Sequence, residues 1–206
     1  MQKYEYSFRA LWTSCLISII NENENWLNNL INNAYDQIVK FENEFSRFKE
    51  DSLLNQLNRE KKLEINMDFW FIVNKSKEIY KLTNWYFNPL INVNKIWYSS
   101  DFNSWKFDKL EIWENLDFND IKIYWNLLEI WENMNLDFWS IAKWYLAEKI
   151  SNFITDNWYK NNLVNMWWDI YASWTNLSWE KWKIAIANPN NPDEAITNLS
   201  ISNSSI

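Results

Sequence analysis

The sequence predicts an α+β fold with a mixed, largely antiparallel sheet packed with helices. Three observations lead there. Tyr4, Tyr6 and Phe8 alternate with Glu5, Ser7 and Arg9, the period-2 pattern of a half-buried strand. Leu27, Leu30, Ile31, Ala34, Ile38, Phe41 and Phe45 recur at helical spacing. Strand patterns then return towards the C-terminus without a regular strand–helix–strand alternation, which argues against a wound parallel sheet.

The chain opens as a hairpin or bent strand, with Cys15 to Ile20 continuing extended after a bend at Trp12-Thr13. The long helix from Leu27 to Phe45 follows, then a shorter one over about Ser52 to Asn58. A third helix places Phe69, Ile72, Val73, Ile79 and Tyr80 inward and stops at Asn84-Trp85. Between Leu110 and Leu136 the string LEIWEN occurs twice, at 110–115 and 128–133, and reads as strand-to-turn units of a meander. A fourth helix, from about Ser140 to Asn157, turns Ile141, Tyr145, Ile150, Phe153 and Ile154 inward. Strands at Leu163–Met166, Ile170–Ala172, Lys183–Ala187 and Ala195–Ile201 complete the chain.

Bulk composition narrows the function. The 206 residues suit one domain over 1–206, with no Pro/Ser-rich linker to divide it. The net charge is −7 and the cations are scattered, so nucleic acid is not an expected partner. Cys15 stands alone, which excludes an internal disulfide and a cysteine metal cluster. Histidine is absent, leaving carboxylates, hydroxyls, amides, backbone groups and lysine for chemistry on this chain. The apolar run Leu16–Ile20 is too short to span a bilayer, and neither a signal peptide nor a lipobox is legible. Localisation therefore stays open.

The most unusual feature is seventeen tryptophans beside no glycine at all. At average usage of about 7%, a chain this size carries about fourteen glycines. Asn25-Trp26, Asn84-Trp85, Asn157-Trp158, Ser104-Trp105, Ser173-Trp174, Ser178-Trp179 and Trp167-Trp168 occupy slots where turn dipeptides carry glycine. Turns of this kind need φ > 0, which a Cβ disfavours. The pattern fits one codon, UGA, read as tryptophan in one genetic code and as glycine in the source organism. An A+T-rich gene is consistent with it: Asn, Ile and Lys dominate, and arginine occurs only at Arg9, Arg47 and Arg59. This reading expects positive φ, crowding or displaced indoles at several of Trp12, Trp85, Trp139, Trp144, Trp167 and Trp168. The literal alternative is an aromatic, carbohydrate-binding surface.

With glycine restored, an ordered set of motifs emerges. Leu11-Trp12-Thr13 becomes Leu-Gly-Thr, Asp137 to Tyr145 becomes DFGSIAKGY, and Trp167-Trp168-Asp169 becomes Gly-Gly-Asp. Phe45-Ser46-Arg47-Phe48, Ser52 to Asn58 (SLLNQLN) and Trp85-Tyr86-Phe87-Asn88-Pro89 lie between them. In this order the chain resembles the FAD:protein FMN transferases, the ApbE family, over nearly its whole length.

That resemblance implies an α+β flavin-transferase domain. It also implies a Mg²⁺-dependent reaction in which FAD is cleaved at its pyrophosphate, FMN passes to a Thr or Ser hydroxyl of an acceptor flavoprotein, and AMP leaves. Carried over residue by residue, Leu11, Phe48, Tyr86, Phe87, Asn88 and Asp137 line the FAD site, and Lys143 lies near the flavin nucleotide. The Ser140 carbonyl becomes a metal ligand. Two departures stand out: Leu11 replaces a methionine, and Asn88 replaces an aspartate. The family's His-Ile-x-Asp-Pro-like segment and its Asp/Thr metal pair have no counterpart before Ile206, so the reading expects a chain shortened at its C-terminus. A flavin- or acceptor-binding fragment without catalysis is the alternative. Family members are often exported or membrane-associated.

Overall fold

The computed structural model describes residues 1–90 and 116–206. Its strands are β1 (Gln2–Ala10), β2 (Thr13–Asn21), β3 (Lys62–Glu64), β4 (Lys122–Tyr124), β5 (Leu127–Glu129), β6 (Asn162–Met166), β7 (Asp169–Ser173), β8 (Trp182–Asn188), β9 (Asn191–Ile201) and β10 (Ser204–Ser205). Its helices are α1 (Leu27–Phe45), α2 (Leu53–Glu60), α3 (Met67–Leu82) and α4 (Trp139–Asp156), with a 3₁₀ turn at Phe118–Asp120. The first LEIWEN copy lies outside the described residues; the second enters β5 and the turn after it. The chain falls into two units, one of residues 1–42 and 143–206 and one of residues 43–142.

The first unit carries a five-stranded sheet in the order β1-β2-β6-β7-β10, with every pairing antiparallel. Its opening strands are long because their alternation is clean: Ala10 pairs with Thr13 across the two-residue loop Leu11-Trp12, and the register holds back to Gln2 opposite Asn21. Ile17, Ile19 and Ile20 are buried, as is Cys15, whose thiol burial pushes up to about 11. Helix α1 buries its predicted stripe from Leu27 to Phe45. Tyr35 on α1 meets Phe8 edge-on at 5.5 Å, and Phe41 meets Tyr145 of α4 at 6.1 Å. Helix α4 buries Ile141, Ile150 and Ile154 as expected, while Tyr145 and Phe153 are half-buried and Leu146 and Ala147 supply the rest of its inner face. It is tied to β6 by the Ser151 hydroxyl, which donates to Asn162 Oδ1 at 2.6 Å. The β8–β9 hairpin packs through Trp182 against Ile20, Leu163 and Ala172.

The second unit is a helical layer with the three-stranded sheet β3-β5-β4. Phe45 stacks on Phe69 at 4.3 Å, and both meet Phe138 edge-on at 6.3 and 6.2 Å. Three short strands were beyond sequence reading: β3, β4 and β10 have two or three residues each, too few to show a period.

Positive φ angles gather on tryptophan. Trp12, Trp26, Trp85, Trp125, Trp158, Trp167, Trp174 and Trp179 lie between 53° and 79°. Trp139 and Trp144 are helical, and Trp168 is not among the positive-φ residues. A Cβ in that region costs about 1–2 kcal/mol per residue. Over these positions the sum is on the order of 10 kcal/mol, the size of a domain's whole stability.

Candidate functional site

The segment SLLNQLN explains much of the local geometry in the second unit. Ser52 caps α2 by accepting the Asn55 N–H at 3.1 Å. Asn55 then reaches back, its Nδ2 donating to the carbonyls of Arg47 and Lys49 at 2.9 Å each, which fixes the loop before the helix. Asn58 clamps the far strand of chain: its Nδ2 donates to the Leu136 carbonyl at 2.9 Å while its Oδ1 accepts the Leu136 N–H at 2.7 Å. The motif thus holds Arg47 at one end and residue 136 at the other.

Between those anchors Arg47 Nη1 donates to Asp137 Oδ2 at 2.7 Å, with the two side chains only 8% and 11% exposed. The other carboxylate oxygen of Asp137 accepts the Trp139 N–H at 2.8 Å, satisfying a donor at the start of α4. The Arg47 guanidinium lies over the Phe48 ring at 4.7 Å and the Trp139 ring at 5.1 Å. The Asp137 N–H donates to the Pro89 carbonyl at 2.9 Å, which brings the 86–90 segment beside it. Asn88 Oδ1 accepts the Leu90 N–H at 3.0 Å, and its Nδ2 donates to the Leu116 carbonyl at 3.4 Å.

Of the predicted residues in this unit, Phe48 and Asp137 come together through Arg47, and Asn88 stands one residue from the carbonyl that holds Asp137. Phe87 is half-buried, its N–H donating to Thr83 Oγ1 at 3.0 Å. Tyr86 is 91% exposed. Ser140 is exposed in the first turn of α4.

In the first unit, Lys143 is nearly buried, its Nζ 4.0 Å from Asp169 Oδ2 and 4.7 Å from the centre of the Trp167 ring. Asp169 opens β7 directly after the Trp167-Trp168 turn, opposite Met166. Burial raises its carboxyl above the ordinary range, and Lys143 pulls partly the other way. Leu11 is buried at φ 54° in the β1–β2 turn, and Thr13 beside it is buried too.

Mg²⁺ takes several oxygen ligands. Among the described residues no three Cys, Asp or Glu side chains gather as a metal cluster, and one backbone carbonyl at Ser140 is short of the oxygens that ion takes.

The family model for ApbE matches residues 11–206. The chain belongs to the ApbE family. Similar solved structures include the flavin transferase ApbE of Vibrio cholerae, with TM-score 0.81 and 13% identity over 99% of this chain and 70% of that one. An ApbE protein of Thermotoga maritima gives 0.84 and 15% over 99% and 69%. The Pseudomonas stutzeri flavinyl transferase ApbE, in its apo form, gives 0.81 and 12% over 98% and 66%. No curated protein matches the chain. At these identities the likeness shows the ApbE fold, α+β with antiparallel sheets, in agreement with the expectation.

Sequence reading missed Arg47, Asn55 and Asn58 as site-building residues of this ApbE chain. The signal was present: an arginine between Ser46 and Phe48, in a chain whose cations are otherwise almost all lysine, and two asparagines three residues apart on α2.

Proposed function

We propose that the chain works as a flavin transferase: it binds FAD and passes FMN to a Thr or Ser hydroxyl of an acceptor flavoprotein, releasing AMP. Family membership across residues 11–206 is the observation that carries this reading. In the reaction the acceptor oxygen forms a bond to the phosphorus of the FMN half and the bond from that phosphorus to the AMP oxygen breaks. The hydroxyl proton leaves to solvent or a base, and AMP departs with the bridging oxygen.

The roles follow from each residue's chemistry. Phe48, Tyr86 and Phe87 offer aromatic faces to a flat ring system. Asp137 holds the start of α4 with its charge balanced by Arg47, and each of its oxygens keeps a lone pair for a ribose or amine donor. Asn88 offers an amide where the family pattern has an aspartate. Lys143 brings positive charge for phosphate oxygens, and Leu11 supplies an apolar wall. Among the described residues no carboxylate cluster gathers to hold Mg²⁺; the Ser140 carbonyl would be one ligand of the ion, whose charge would offset that of the phosphates.

That donor set also favours a second reading, a flavin-binding module without catalysis. Incubating the protein with FAD, Mg²⁺ and an acceptor domain bearing a Thr flavinylation site separates the two. Flavin fluorescence that stays with the acceptor through denaturing electrophoresis, with AMP released in equal amount, supports the transferase. FAD binding without AMP release supports the module, and failure to bind FAD overturns both.

A further inference from the structure

We propose that the cell that owns this gene inserts glycine at the tryptophans of its tight turns and helix ends, and tryptophan at position 182, so that two different codons lie behind one letter. The backbone and the burial of each ring make the division, independently of any flavin chemistry.

Two-residue hairpin loops need φ > 0 at both central positions in type I′ and at the first in type II′. Leu11-Trp12 between β1 and β2 has both, at 54° and 60°. Trp125, between Tyr124 and Leu127, and Trp167, between Met166 and Asp169, each hold the first position, at 57° and 79°. The end of α4 makes the same demand in another form. Trp158, at φ 77°, donates its N–H to the Thr155 carbonyl at 2.9 Å, and Tyr159 donates to the Ile154 carbonyl at 3.2 Å. Those two bonds are the Schellman pair, whose left-handed residue is usually glycine.

Three of these rings stand largely in water. Trp12 is 68% exposed, Trp125 97% and Trp158 88%. A ring left mostly in water gains little burial free energy to set against the backbone cost. Trp182 is the opposite case. It lies in β8, is 7% exposed, packs on Ile20, Leu163 and Ala172, and its Nε1–H donates to the Ser173 carbonyl at 3.0 Å. Glycine at 182 would leave a ring-sized void and remove the hydrogen bond to the Ser173 carbonyl, while tryptophan at the turns meets a backbone built for a residue without Cβ. One consequence reaches the buried cation of the first unit: with glycine at 167 the ring 4.7 Å from Lys143 Nζ disappears.

Peptide sequencing by mass spectrometry on the protein purified from its own cell decides the matter. Glycine at 12, 125, 158 and 167 together with tryptophan at 182 is the expected result. Tryptophan at those turn positions, or glycine at 182, overturns the proposal. The gene gives a second readout: UGA at the turns with UGG at 182 supports it, and UGG throughout overturns it.

Discussion

Arg47 and Asp137, ninety residues apart in sequence, meet through a 2.7 Å hydrogen-bonded ion pair that is almost closed to water. Removing one partner strands a buried charge, a loss of about 3–5 kcal/mol. Arg47→Met and Asp137→Leu should each lower the denaturation midpoint by that order, and the double variant by much less than their sum. Additive losses in a chemical-denaturation cycle would show that the two do not act as a pair.

Asn58 exchanges two hydrogen bonds with the backbone of Leu136, next to that pair. Asn58→Leu keeps the volume and leaves a partly buried N–H and C=O without partners, costing about 2–4 kcal/mol for the two groups. Urea unfolding checks this; an unchanged midpoint would mean water replaces both contacts without loss.

Turn tryptophans and Trp182 should respond oppositely to the same substitution. Trp158→Gly relieves the left-handed strain and should stabilise by about 1–2 kcal/mol. Trp182→Gly empties a core position and should cost about 3–5 kcal/mol or more. Thermal unfolding of the two variants side by side reads the contrast, and equal shifts in one direction would contradict it.

Cys15 is buried with its thiol pushed up to about 11 by burial. At about pH 8 almost no thiolate forms, so a disulfide reagent should label the folded protein far more slowly than the unfolded chain. Rapid labelling of the folded form would show that the strand opens.

Asp169 has its carboxyl raised above the ordinary 3.8, first by burial and only partly offset by Lys143. The folded protein therefore holds a proton that the unfolded chain has already released. Stability from this group falls as pH rises from 3.8 through its folded pKa, and above that the penalty is constant. Asp169→Asn should flatten this part of the stability profile; a profile identical to that of the parent chain would show that another group sets it.

Much of the fold was legible because the long elements are strongly patterned. The alternation at Tyr4, Tyr6 and Phe8 and the stripe from Leu27 to Phe45 each state which face is buried, and the structure buries the stripe. The short strands β3, β4 and β10 carry no such period, and their pairing depends on partners far away in sequence. Asp137 and Lys143 were candidates from their motif alone. The group that neutralises Asp137 could not be read that way, because nothing local links Arg47 to residue 137. Asn55 and Asn58, reaching from one short helix, help to make that link.

The neighbour relation between β2 and β6 has a consequence for biosynthesis. Leu16 pairs with Asn165 and Ile17 with Val164, so one edge of the opening hairpin waits while nearly 150 more residues are made. Until then the ribosome extrudes an apolar ribbon, Cys15 to Ile20, with unpaired backbone groups along that edge. Closing so distant a contact is slow. The nascent chain therefore needs shelter from its own copies until β6 has been made and can pair with that edge.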